Sequence, residues 1–565
     1  MSATEAFLQA RKFLLAQRED YDRAYSGFHW PELDTFNWAL DWFDVYARNN
    51  NRTALWVVSR DAGETKLSFR EMSERSSQVA NFLSGVGVRR GDRILLMLGN
   101  VVAFWETMLA AIKLGAVLIP ATTMLSRDDL VDRIERGDVR HVVVGGADTR
   151  KFADVRGDFT KIAVGHTPAG WIPYDTAYRG SPIFTAQGDT PANAPLFLYF
   201  TSGTAERPKL VEHSHRSYPV GHLSTLYWLG LKEGDIHLNI STPGWAKQVA
   251  SGLFAPWTAG ATVFVYNFLR FNAKTMLDVI VRHGVTTLCA TPTVWRAFVH
   301  EHLASYPVRL RELVSSGEPL DPDIVEYVQE RWGLFVRDGY SQTETTTMIG
   351  NTPGQKVKPG SMGRPLPGYR IVLLDQSGRE ADEGEIAIKA DPRPAGLMLG
   401  YQDEWKKTID PLSGDYYRTG DLAARNDQGY LTYVGRGDDV FKSSEYRISP
   451  FELESVISEH EAVAETAVVP SPEPAHASVP KAVISLAEGF HASPRVAEEI
   501  LRFAHARLAP YKRIRRIEFA ELPKTLSGKI RRVELRRRET ELRQQGARGE
   551  FEFWEEDFPA LAETV

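Results

Sequence analysis

The chain has 565 residues, a formal net charge of -6 and a hydrophobic fraction of 43%. This length exceeds what one hydrophobic core supports, and the composition is that of an ordinary globular protein, so several folded units are expected rather than a disordered chain. The negative charge argues against sequence-independent binding to nucleic acid, which requires a basic surface.

The N-terminal residues and the cysteine content predict a cytoplasmic protein without a membrane span. Residues 7–15 have helical apolar spacing but lack the basic, apolar and small-residue order of a signal peptide. The most apolar stretch, residues 101–125, contains Glu106 and Lys113, whereas a membrane span requires roughly 20 residues with few or no charges. The single cysteine, Cys289, excludes an intrachain disulfide, as expected in a reducing compartment.

Apolar runs alternate with amphipathic segments between residues 67 and 285. Residues 93–98 predict a buried strand, residues 103–114 a helix and residues 116–120 the next strand. Such alternation is typical of parallel sheets covered by helices. Later in the chain, short strand-like runs separated by turn signals predict a smaller β-rich unit, at residues 369–375 and 384–388.

A segment rich in glycine and aspartate predicts a domain boundary. Residues 435–439 read Gly-Arg-Gly-Asp-Asp, and both residue types supply turn conformations that let the backbone pivot. The predicted α/β architecture has a large N-terminal domain of helix-covered β-sheets plus a β-rich subdomain, residues 1–437. A small mobile α+β C-terminal domain follows, residues 438–565. Its tail at residues 551–558 carries four aromatic side chains, which are costly to leave in water, so docking onto the protein or a partner subunit is expected.

A segment rich in serine and threonine follows the apolar run at residues 196–198. Residues 199–209 read Tyr-Phe-Thr-Ser-Gly-Thr-Ala-Glu-Arg-Pro-Lys. Its hydroxyls, glycine and lysine can offer hydrogen bonds and positive charge to a polyphosphate. It does not end in Gly-Lys-Ser/Thr before a helix, which disfavours the common NTPase phosphate loop. On local sequence alone, a plain turn rich in serine and threonine is the alternative.

This segment resembles the phosphate loop of the adenylate-forming superfamily of acyl-CoA synthetases, adenylation domains and luciferases. Five further motifs follow in that superfamily's order, namely residues 317–319 (Gly-Glu-Pro), 338–344 (Asp-Gly-Tyr-Ser-Gln-Thr-Glu), 417–421 (Tyr-Arg-Thr-Gly-Asp), 435–439 and 523–529 (Pro-Lys-Thr-Leu-Ser-Gly-Lys). Residues 36–41 and 243–247 are similar to the medium-chain, branched-chain and aryl acyl-CoA synthetase branch. The resemblance spans nearly the whole chain and implies a ligase that uses ATP, Mg²⁺ and coenzyme A.

The resemblance implies one ATP site built from these motifs. Attack of a carboxylate on the α-phosphate brings two anions together, so catalysis must come mainly from positioning and charge cancellation. Lys529 is implied to bridge the carboxylate and the α-phosphate, Thr343 to hydrogen-bond that phosphate and Glu344 to bind Mg²⁺. The implied ATP- and AMP-binding residues are Thr201, Ser202, Gly203, Thr204, Lys209, Gly317, Glu318, Pro319, Asp338, Gly339, Tyr340, Asp421, Arg436 and Arg447.

Trp245 and Ser341 are implied to line the acyl pocket, with Trp245 as a gate beside the reacting carboxylate. Ser341 stands where acetyl-CoA synthetases carry a pocket-closing tryptophan, so acids larger than acetate are expected. Because the serine hydroxyl is polar, we expect short branched or hydroxylated acids of about four carbons, of the isobutyrate or 2-hydroxyisobutyrate type.

Two departures from the superfamily pattern affect phosphate and thiol binding. Glu206 stands where the superfamily has glycine, and repulsion from a triphosphate is expected to turn its carboxylate outward. Glu445 replaces another glycine in the strip of Ser443, Ser444 and Glu445 that is implied to line the CoA tunnel. Asp438 is implied to be the hinge about which the small domain reorients between two steps, formation of an acyl-adenylate and transfer of its acyl group to coenzyme A.

The sequence therefore favours an AMP-forming acyl-CoA ligase whose partners are a small carboxylic acid, ATP and coenzyme A, with no nucleic acid. Three alternatives stay open: ligation of medium-chain or aryl acids, transfer of the acyl group to a carrier protein, and non-catalytic binding of an acyl-adenylate. No segment resembles a carrier-protein domain. A homodimer is compatible with the sequence.

Overall fold

The computed structural model describes residues 2–59, 63–201, 208–402, 414–443, 446–473, 477–525 and 528–562. By its internal contacts the chain divides into two compact units. The first comprises Met1–Ile371, Ile388–Tyr417 and Asp427–Leu431, and the second comprises Val372–Ala387, Arg418–Asn426 and Thr432–Val565. The domain division predicted at Asp438 stays a prediction.

The strands, in chain order, are β1 Thr53–Val58, β2 Glu64–Ser68, β3 Arg93–Met97, β4 Val117–Pro120, β5 His141–Gly145, β6 Thr160–Val164, β7 Ile172–Pro173, β8 Pro195–Thr201, β9 Lys209–Ser214, β10 Ile236–Asn239, β11 Thr262–Tyr266, β12 Thr287–Ala290, β13 Glu312–Ser316, β14 Val336–Ser341, β15 Thr347–Gly350, β16 Arg364–Pro365, β17 Ile371–Leu374, β18 Glu380–Ala381, β19 Glu383–Lys389, β20 Gly400–Tyr401, β21 Tyr416–Arg425, β22 Leu431–Arg436, β23 Phe441–Ser443, β24 Tyr446–Ile448, β25 Val463–Glu473, β26 Ala477–Leu486, β27 Arg516–Phe519 and β28 Glu552–Trp554.

The α-helices are α1 Ala3–Ala16, α2 Tyr21–Gly27, α3 Asp44–Ala47, α4 Phe69–Gly85, α5 Val102–Leu114, α6 Arg127–Arg136, α7 Leu223–Leu229, α8 Ala246–Val249, α9 Ala255–Ala259, α10 Ala273–His283, α11 Pro292–Val299, α12 Pro322–Trp332, α13 Pro450–Ser458, α14 Pro494–His505, α15 Arg532–Gln544 and α16 Pro559–Ala562. Short π-helical turns lie at Trp38–Phe43 and Ala250–Phe254. Short 3-10 helices lie at Gly146–Phe152, Tyr174–Arg179, Leu303–Ser305, Pro510–Lys512 and Glu555–Asp557.

Two large, mostly parallel sheets form the first unit. One has nine strands in the order β16-β15-β14-β13-β12-β10-β11-β1-β2, and the other has eight in the order β20-β9-β8-β4-β3-β5-β6-β7. Apolar side chains of α10, α11 and α12 pack against the nine-stranded sheet in one buried core. The predicted β3, α5 and β4 all form, so the α/β class predicted from the alternating pattern is confirmed.

The second unit is richer in antiparallel strands. It holds a five-stranded sheet in the order β18-β17-β19-β21-β22, a β23-β24 hairpin and a four-stranded sheet in the order β25-β26-β27-β28. Helices α13 and α14 pack on the four-stranded sheet through a separate apolar core. This agrees with the predicted small α+β domain and with the predicted β-rich segment.

The two charges inside the most apolar segment are buried in α5. Glu106 is fully buried, forms an ion pair with Arg75 and accepts a hydrogen bond from Tyr178 at 2.8 Å. The Lys113 ammonium lies 2.9 Å from an Asp44 carboxylate oxygen. Burial of a charge is tolerated when a partner offsets the lost hydration. Within the described ranges, no helix is long and apolar enough to cross a membrane.

The acidic and aromatic tail docks onto the second unit, as one of the two expected arrangements. β28 pairs antiparallel with β27, and Phe558 is buried in the core of this unit. Trp554 is covered by guanidinium groups, with the Arg516 carbon 4.1 Å from the centroid of its ring. Burial of aromatic surface and cation–π contacts explain why this segment is ordered.

Beneath the tail lies a buried cluster of charges. Lys481 Nζ lies 2.8 Å from Glu518, 2.5 Å from Glu539 and 3.2 Å from Glu552. These three carboxylates are the group of metal-ligand spacing found among the described residues. Because an ammonium already lies among them, the cluster is a structural ion network that joins β26, β27, α15 and the tail.

Candidate active site

The predicted adenine-binding segments lie side by side at the carboxyl ends of two neighbouring strands. β13 ends at Ser316, directly before residues 317–319, and β14 includes residues 338–341. The two strands pair in parallel, with Ser316 opposite Gly339. Open α/β sheets bind ligands at the carboxyl ends of their strands. The structure thus brings these predicted residues together at the carboxyl ends of two paired strands.

Local signals explain how β13 and β14 come to be neighbours. They are joined by α12, whose first turn contains Pro322 and whose cap residue Asp321 accepts a hydrogen bond from the Asp323 N–H at 2.9 Å. Gly333 ends the helix in the left-handed conformation, with a φ of 68°. Aspartate at the start and glycine after the end are the favoured helix boundaries.

Two glycines of the candidate site are required, Gly317 by its backbone conformation and Gly339 by its surroundings. Gly317 has a φ of 110°, a backbone conformation that residues with a side chain rarely adopt. A Cβ on Gly339 would lie 2.4 Å from the indole of Trp228. This indole also donates to the Asp338 carbonyl at 3.2 Å. Tyr340, the predicted adenine platform, follows on β14 and is half-buried.

Asp338 joins the two predicted adenine-binding segments. Its carboxylate accepts hydrogen bonds from the N–H of Gly339 at 2.9 Å and from the N–H of Leu320 at 3.4 Å. Leu320 directly follows the Gly317–Pro319 loop. Burial of Asp338 raises the pKa of its carboxyl from 3.8 to about 7. The Asp338 side chain therefore joins the loop to β14 through a buried carboxyl group.

Replacing Asp338 with asparagine is expected to flatten the pH dependence of stability. Between about pH 4 and pH 7 the unfolded chain has released this proton and the folded chain has kept it. Stability from this group is therefore full below about pH 4, decreases by on the order of 1 kcal/mol per pH unit between about pH 4 and pH 7, and is lost above about pH 7. Thermal unfolding of wild type and Asp338→Asn at about pH 5.5 and about pH 8 measures this difference. Equal shifts of the unfolding midpoint in both proteins would contradict it.

The predicted catalytic residues Thr343 and Glu344 lie in a turn directly after β14. His213 on β9 has its Nε2 2.7 Å from the Thr343 carbonyl oxygen and its Nδ1 2.9 Å from Ser217 Oγ. Burial lowers the pKa of His213 to about 4, so the ring is neutral. Because a carbonyl can only accept, Nε2 carries the proton and Nδ1 accepts from the serine hydroxyl. The sequence did not identify His213, since one histidine in an apolar strand gives no local signal.

The surroundings of Glu344 fit its predicted role as the Mg²⁺ ligand. Its Oε1 accepts a hydrogen bond from Tyr401 Oη at 2.7 Å, and its carbonyl accepts one from the Met398 N–H at 2.8 Å. Mg²⁺ prefers oxygen ligands and is usually held by one or two carboxylates together with water and substrate phosphates. A single oriented carboxylate suits such a metal.

The ends of the predicted phosphate loop are held by a β-hairpin. Thr201, the last residue of β8, is the register partner of Lys209, the first residue of β9. Lys209 Nζ lies 4.8 Å from the centroid of the Tyr401 ring. The other predicted loop residues, Ser202, Gly203, Thr204 and Glu206, lie outside the described residues.

Trp245 follows β10 and lies on the same side of the nine-stranded sheet as the adenine-binding segments, at the carboxyl ends of the parallel strands. It directly precedes α8, and the Lys247 Nζ on that helix donates to the Ser316 carbonyl at 3.3 Å. Gly244 has a φ of 98°, and a Cβ there would lie 2.3 Å from the Thr122 nitrogen. This close backbone approach fixes the position from which the predicted gate projects. Lys247 is a further residue of the site that the sequence did not identify.

The predicted ribose-binding residues form one group within the second unit. Asp421 on β21 is buried, and its Oδ1 accepts a hydrogen bond from Tyr433 Oη at 3.1 Å. The Arg436 guanidinium lies 3.8 Å from the same oxygen and donates to Asp438 at 3.1 Å. Arg436 therefore links Asp421, the predicted ribose-binding residue, with Asp438, the predicted hinge residue. Tyr433 was not identified from the sequence.

Lys529 lies on a short loop of the second unit. Lys524 and Ile530 form a β-bridge across the base of this loop. The Lys529 carbonyl accepts from the Thr525 N–H at 2.7 Å, and the Lys529 N–H donates to Thr525 Oγ1 at 3.1 Å. The Lys529 side chain is exposed. Its backbone is therefore fixed while its ammonium can extend.

The predicted CoA-tunnel strip begins in a two-stranded hairpin. Ser443 is buried in β23 and is the register partner of Tyr446 in β24. Arg447, predicted to contact phosphate, is the next residue of β24. Ser444 and Glu445 lie outside the described residues, so their predicted place in the tunnel stays a prediction.

Comparison with known proteins agrees with these motifs. The sequence matches the AMP-binding enzyme family over residues 42–402 and the AMP-binding enzyme C-terminal domain over residues 452–529. It is 41% identical over 544 residues to 4-hydroxybutyrate--CoA ligase 1 of Metallosphaera sedula, which covers 92% of this chain and 94% of that protein. It is 37% identical to the mitochondrial acyl-coenzyme A synthetase ACSM3 of Rattus norvegicus, and this match covers 89% of this chain and 90% of that protein.

A solved structure shows the same fold. The anthranilate CoA ligase AuaEII, determined in complex with anthranoyl-AMP, is similar with a TM-score of 0.81 at 27% sequence identity. The similarity covers 91% of this chain and 99% of that one. Both domain models, the relatives and this structure point the same way, and the chain belongs to the AMP-binding enzyme family as an AMP-forming acyl-CoA synthetase, an acid–thiol ligase.

Proposed function

We propose that the protein activates a short hydroxylated or branched carboxylic acid of about four carbons and transfers its acyl group to coenzyme A. A carboxylate oxygen attacks the α-phosphorus of ATP, the bond to the bridging oxygen breaks, and acyl-adenylate and pyrophosphate form. The sulfur of CoA then attacks the acyl carbon, the bond to the AMP oxygen breaks, and the thiol proton passes to solvent.

In the first unit, the residues around β14 would bind MgATP. Asp338 holds the adenine-side loop against β14, where Tyr340 offers a flat face. Thr343 would donate to the α-phosphate, and Lys209 would bring positive charge to the phosphates. Glu344 would hold Mg²⁺, which when bound neutralises charge on the phosphates.

In the second unit, Lys529 would bridge the acid and the α-phosphate, since an ammonium on a flexible stem can contact both oxygens. Asp421 would accept from the ribose hydroxyls, with Arg436 held beside it. Asp438 as a hinge, and the CoA tunnel along Ser443–Glu445, stay predictions. They explain how one enzyme can perform two steps that need different groups.

The substrate proposal rests on one observation, the small, polar and exposed Ser341 at the end of β14. A serine occupies less volume than the tryptophan that acetyl-CoA synthetases carry at this place in their motif, and its hydroxyl favours a substrate with a polar group. The relative from Metallosphaera sedula is by name a ligase for 4-hydroxybutyrate, a hydroxylated acid with four carbons.

An AMP-release assay with MgATP and CoA tests this proposal. The acids are acetate, butyrate, isobutyrate, 2-hydroxyisobutyrate, 4-hydroxybutyrate, hexanoate and benzoate. We expect the highest kcat/KM for a hydroxylated or branched four-carbon acid. A higher value for hexanoate or benzoate would instead identify a medium-chain or aryl acid ligase.

The predicted location and assembly are separate from the activity. A cytoplasmic location and a homodimer stay predictions of the sequence. The relative from Rattus norvegicus is by name mitochondrial, so its name does not support the first of them.

A further inference from the structure

We infer that Tyr401 is a positioning residue for the phosphate side of the site, because it holds the predicted metal ligand and the predicted phosphate-binding lysine from one ring. Its hydroxyl donates to Glu344 Oε1 at 2.7 Å. The face of the same ring lies 4.8 Å from Lys209 Nζ. Tyr401 lies outside the six motifs that resemble those of the superfamily. This inference rests on the proposed role of Glu344.

The backbone of Tyr401 is fixed before its side chain is considered. β20 adds to the edge of the eight-stranded sheet, with Tyr401 opposite Val211 of β9. The Leu399 N–H donates to the Glu212 carbonyl at 2.7 Å, and the Gln402 N–H donates to the Leu210 carbonyl at 3.0 Å. Backbone hydrogen bonds to β9 before and after Tyr401 in the chain make this short strand a rigid support. β9 begins at Lys209, so the lysine and the tyrosine share one sheet.

The hydrogen bond determines how the Glu344 carboxylate is presented. An ionised carboxylate accepts a hydrogen bond more strongly than a neutral group does. The Tyr401 hydroxyl bonds Oε1 and orients the carboxylate plane, and Oε2 would be the atom that binds Mg²⁺. Tyr401 is 4% exposed, so water competes weakly for the bond. A carboxylate oriented in advance loses less entropy when a metal binds.

The cation–π contact acts on the other charge. An ammonium over an aromatic face is attracted to the ring, and this contact limits the positions of the flexible lysine stem. In this way Tyr401 restrains one group of each sign on the side where MgATP would bind. Its removal should therefore affect MgATP more than AMP, because AMP lacks the β- and γ-phosphates.

The chain offers a closely matched control, Tyr430. Its hydroxyl donates to the Lys356 carbonyl at 2.7 Å, its ring lies 4.8 Å from Lys358 Nζ and it is 6% exposed. Tyr401→Phe and Tyr430→Phe therefore each remove a tyrosine hydrogen bond of 2.7 Å from rings with similar burial and a similar lysine contact, and they differ in that only Tyr401 donates to a carboxylate. A general loss of stability should appear in both variants to a similar degree.

The experiment measures nucleotide binding to the full-length protein by calorimetry, with ATP in the presence and absence of Mg²⁺ and with AMP alone. For Tyr401→Phe we expect MgATP affinity to decrease about tenfold and AMP affinity to change less than about twofold. We also expect a higher Mg²⁺ requirement for adenylation and an unchanged rate from supplied acyl-adenylate to thioester. Tyr430→Phe should behave as wild type.

Glu344→Gln separates failure of this inference from failure of the proposed function. If Glu344→Gln loses Mg²⁺-dependent ATP binding but Tyr401→Phe does not, the positioning role is wrong and the metal role stands. If Glu344→Gln binds MgATP as wild type does, the proposed metal role is wrong and the inference fails with it. An equal decrease in MgATP and AMP affinity for Tyr401→Phe would show a general structural effect and also overturn the inference.

Discussion

Replacing Lys529 with alanine is expected to reduce acyl-adenylate formation by roughly a hundredfold or more, while supplied acyl-adenylate is still converted to thioester. The reason is that only the first half-reaction brings two anions together, the carboxylate and the α-phosphate. Acid-dependent pyrophosphate exchange measures the first step, and thioester formation from acyl-adenylate and CoA measures the second.

The exposed loop position of Lys529 makes this test selective, because its side chain supports no core. Arg495→Ala is a suitable control, since Arg495 is an exposed cation on α14 of the same unit and pairs with Glu499 one helical turn away, at 2.9 Å. It should retain both half-reactions. Equal loss of both half-reactions in Lys529→Ala would show that the lysine does not act mainly in adenylation.

Replacing Ser341 with tryptophan is expected to shift substrate preference towards acetate and propionate. In the proposed acyl pocket the indole would fill volume that the smaller serine leaves, and each excluded methylene changes the transition-state free energy by about 1–3 kcal/mol. The ratio of kcat/KM for a four-carbon acid to that for acetate should therefore decrease by about a hundredfold or more. AMP release with each acid gives this ratio.

Ser341→Ala is the control for size, since it removes the hydroxyl and adds no volume. It should keep the preference for four-carbon acids over acetate and lose discrimination in favour of hydroxylated ones. If wild type already prefers acetate, or if Ser341→Trp loses activity on all acids equally, Ser341 does not limit the acyl pocket.

Local sequence was sufficient for the parts of the fold and site that depend on local pattern. The strand, helix and strand at residues 93–120 follow from apolar periodicity. The motifs at residues 317–319 and 338–344 were identified from the resemblance, but the pairing of β13 with β14, which brings them together, was not predicted. The docking of the tail follows from the cost of exposing aromatic rings. The partner strand β27 could not be predicted, because nothing in the tail itself specifies it.

Residues that act through distant partners could not be found in this way. Tyr401 and Glu344 are separated by 57 positions, and His213 and Thr343 by 130. A tyrosine or histidine in an apolar strand has the same local pattern whether it packs in a core or orients a catalytic turn. Likewise, Glu106 in α5 is satisfied by side chains from other segments, so its burial was not visible in the sequence.

The most direct measurement of the proposed chemistry is the dependence of AMP release on CoA, with the preferred acid and MgATP. We expect acid-dependent pyrophosphate exchange without CoA, and release of one AMP for each thioester formed when CoA is added. Acid-dependent pyrophosphate exchange with no CoA-dependent release of AMP would contradict CoA as the acceptor and point to a carrier protein. If Glu445→Gly then gained CoA activity, the glutamate would close the tunnel in the wild-type protein.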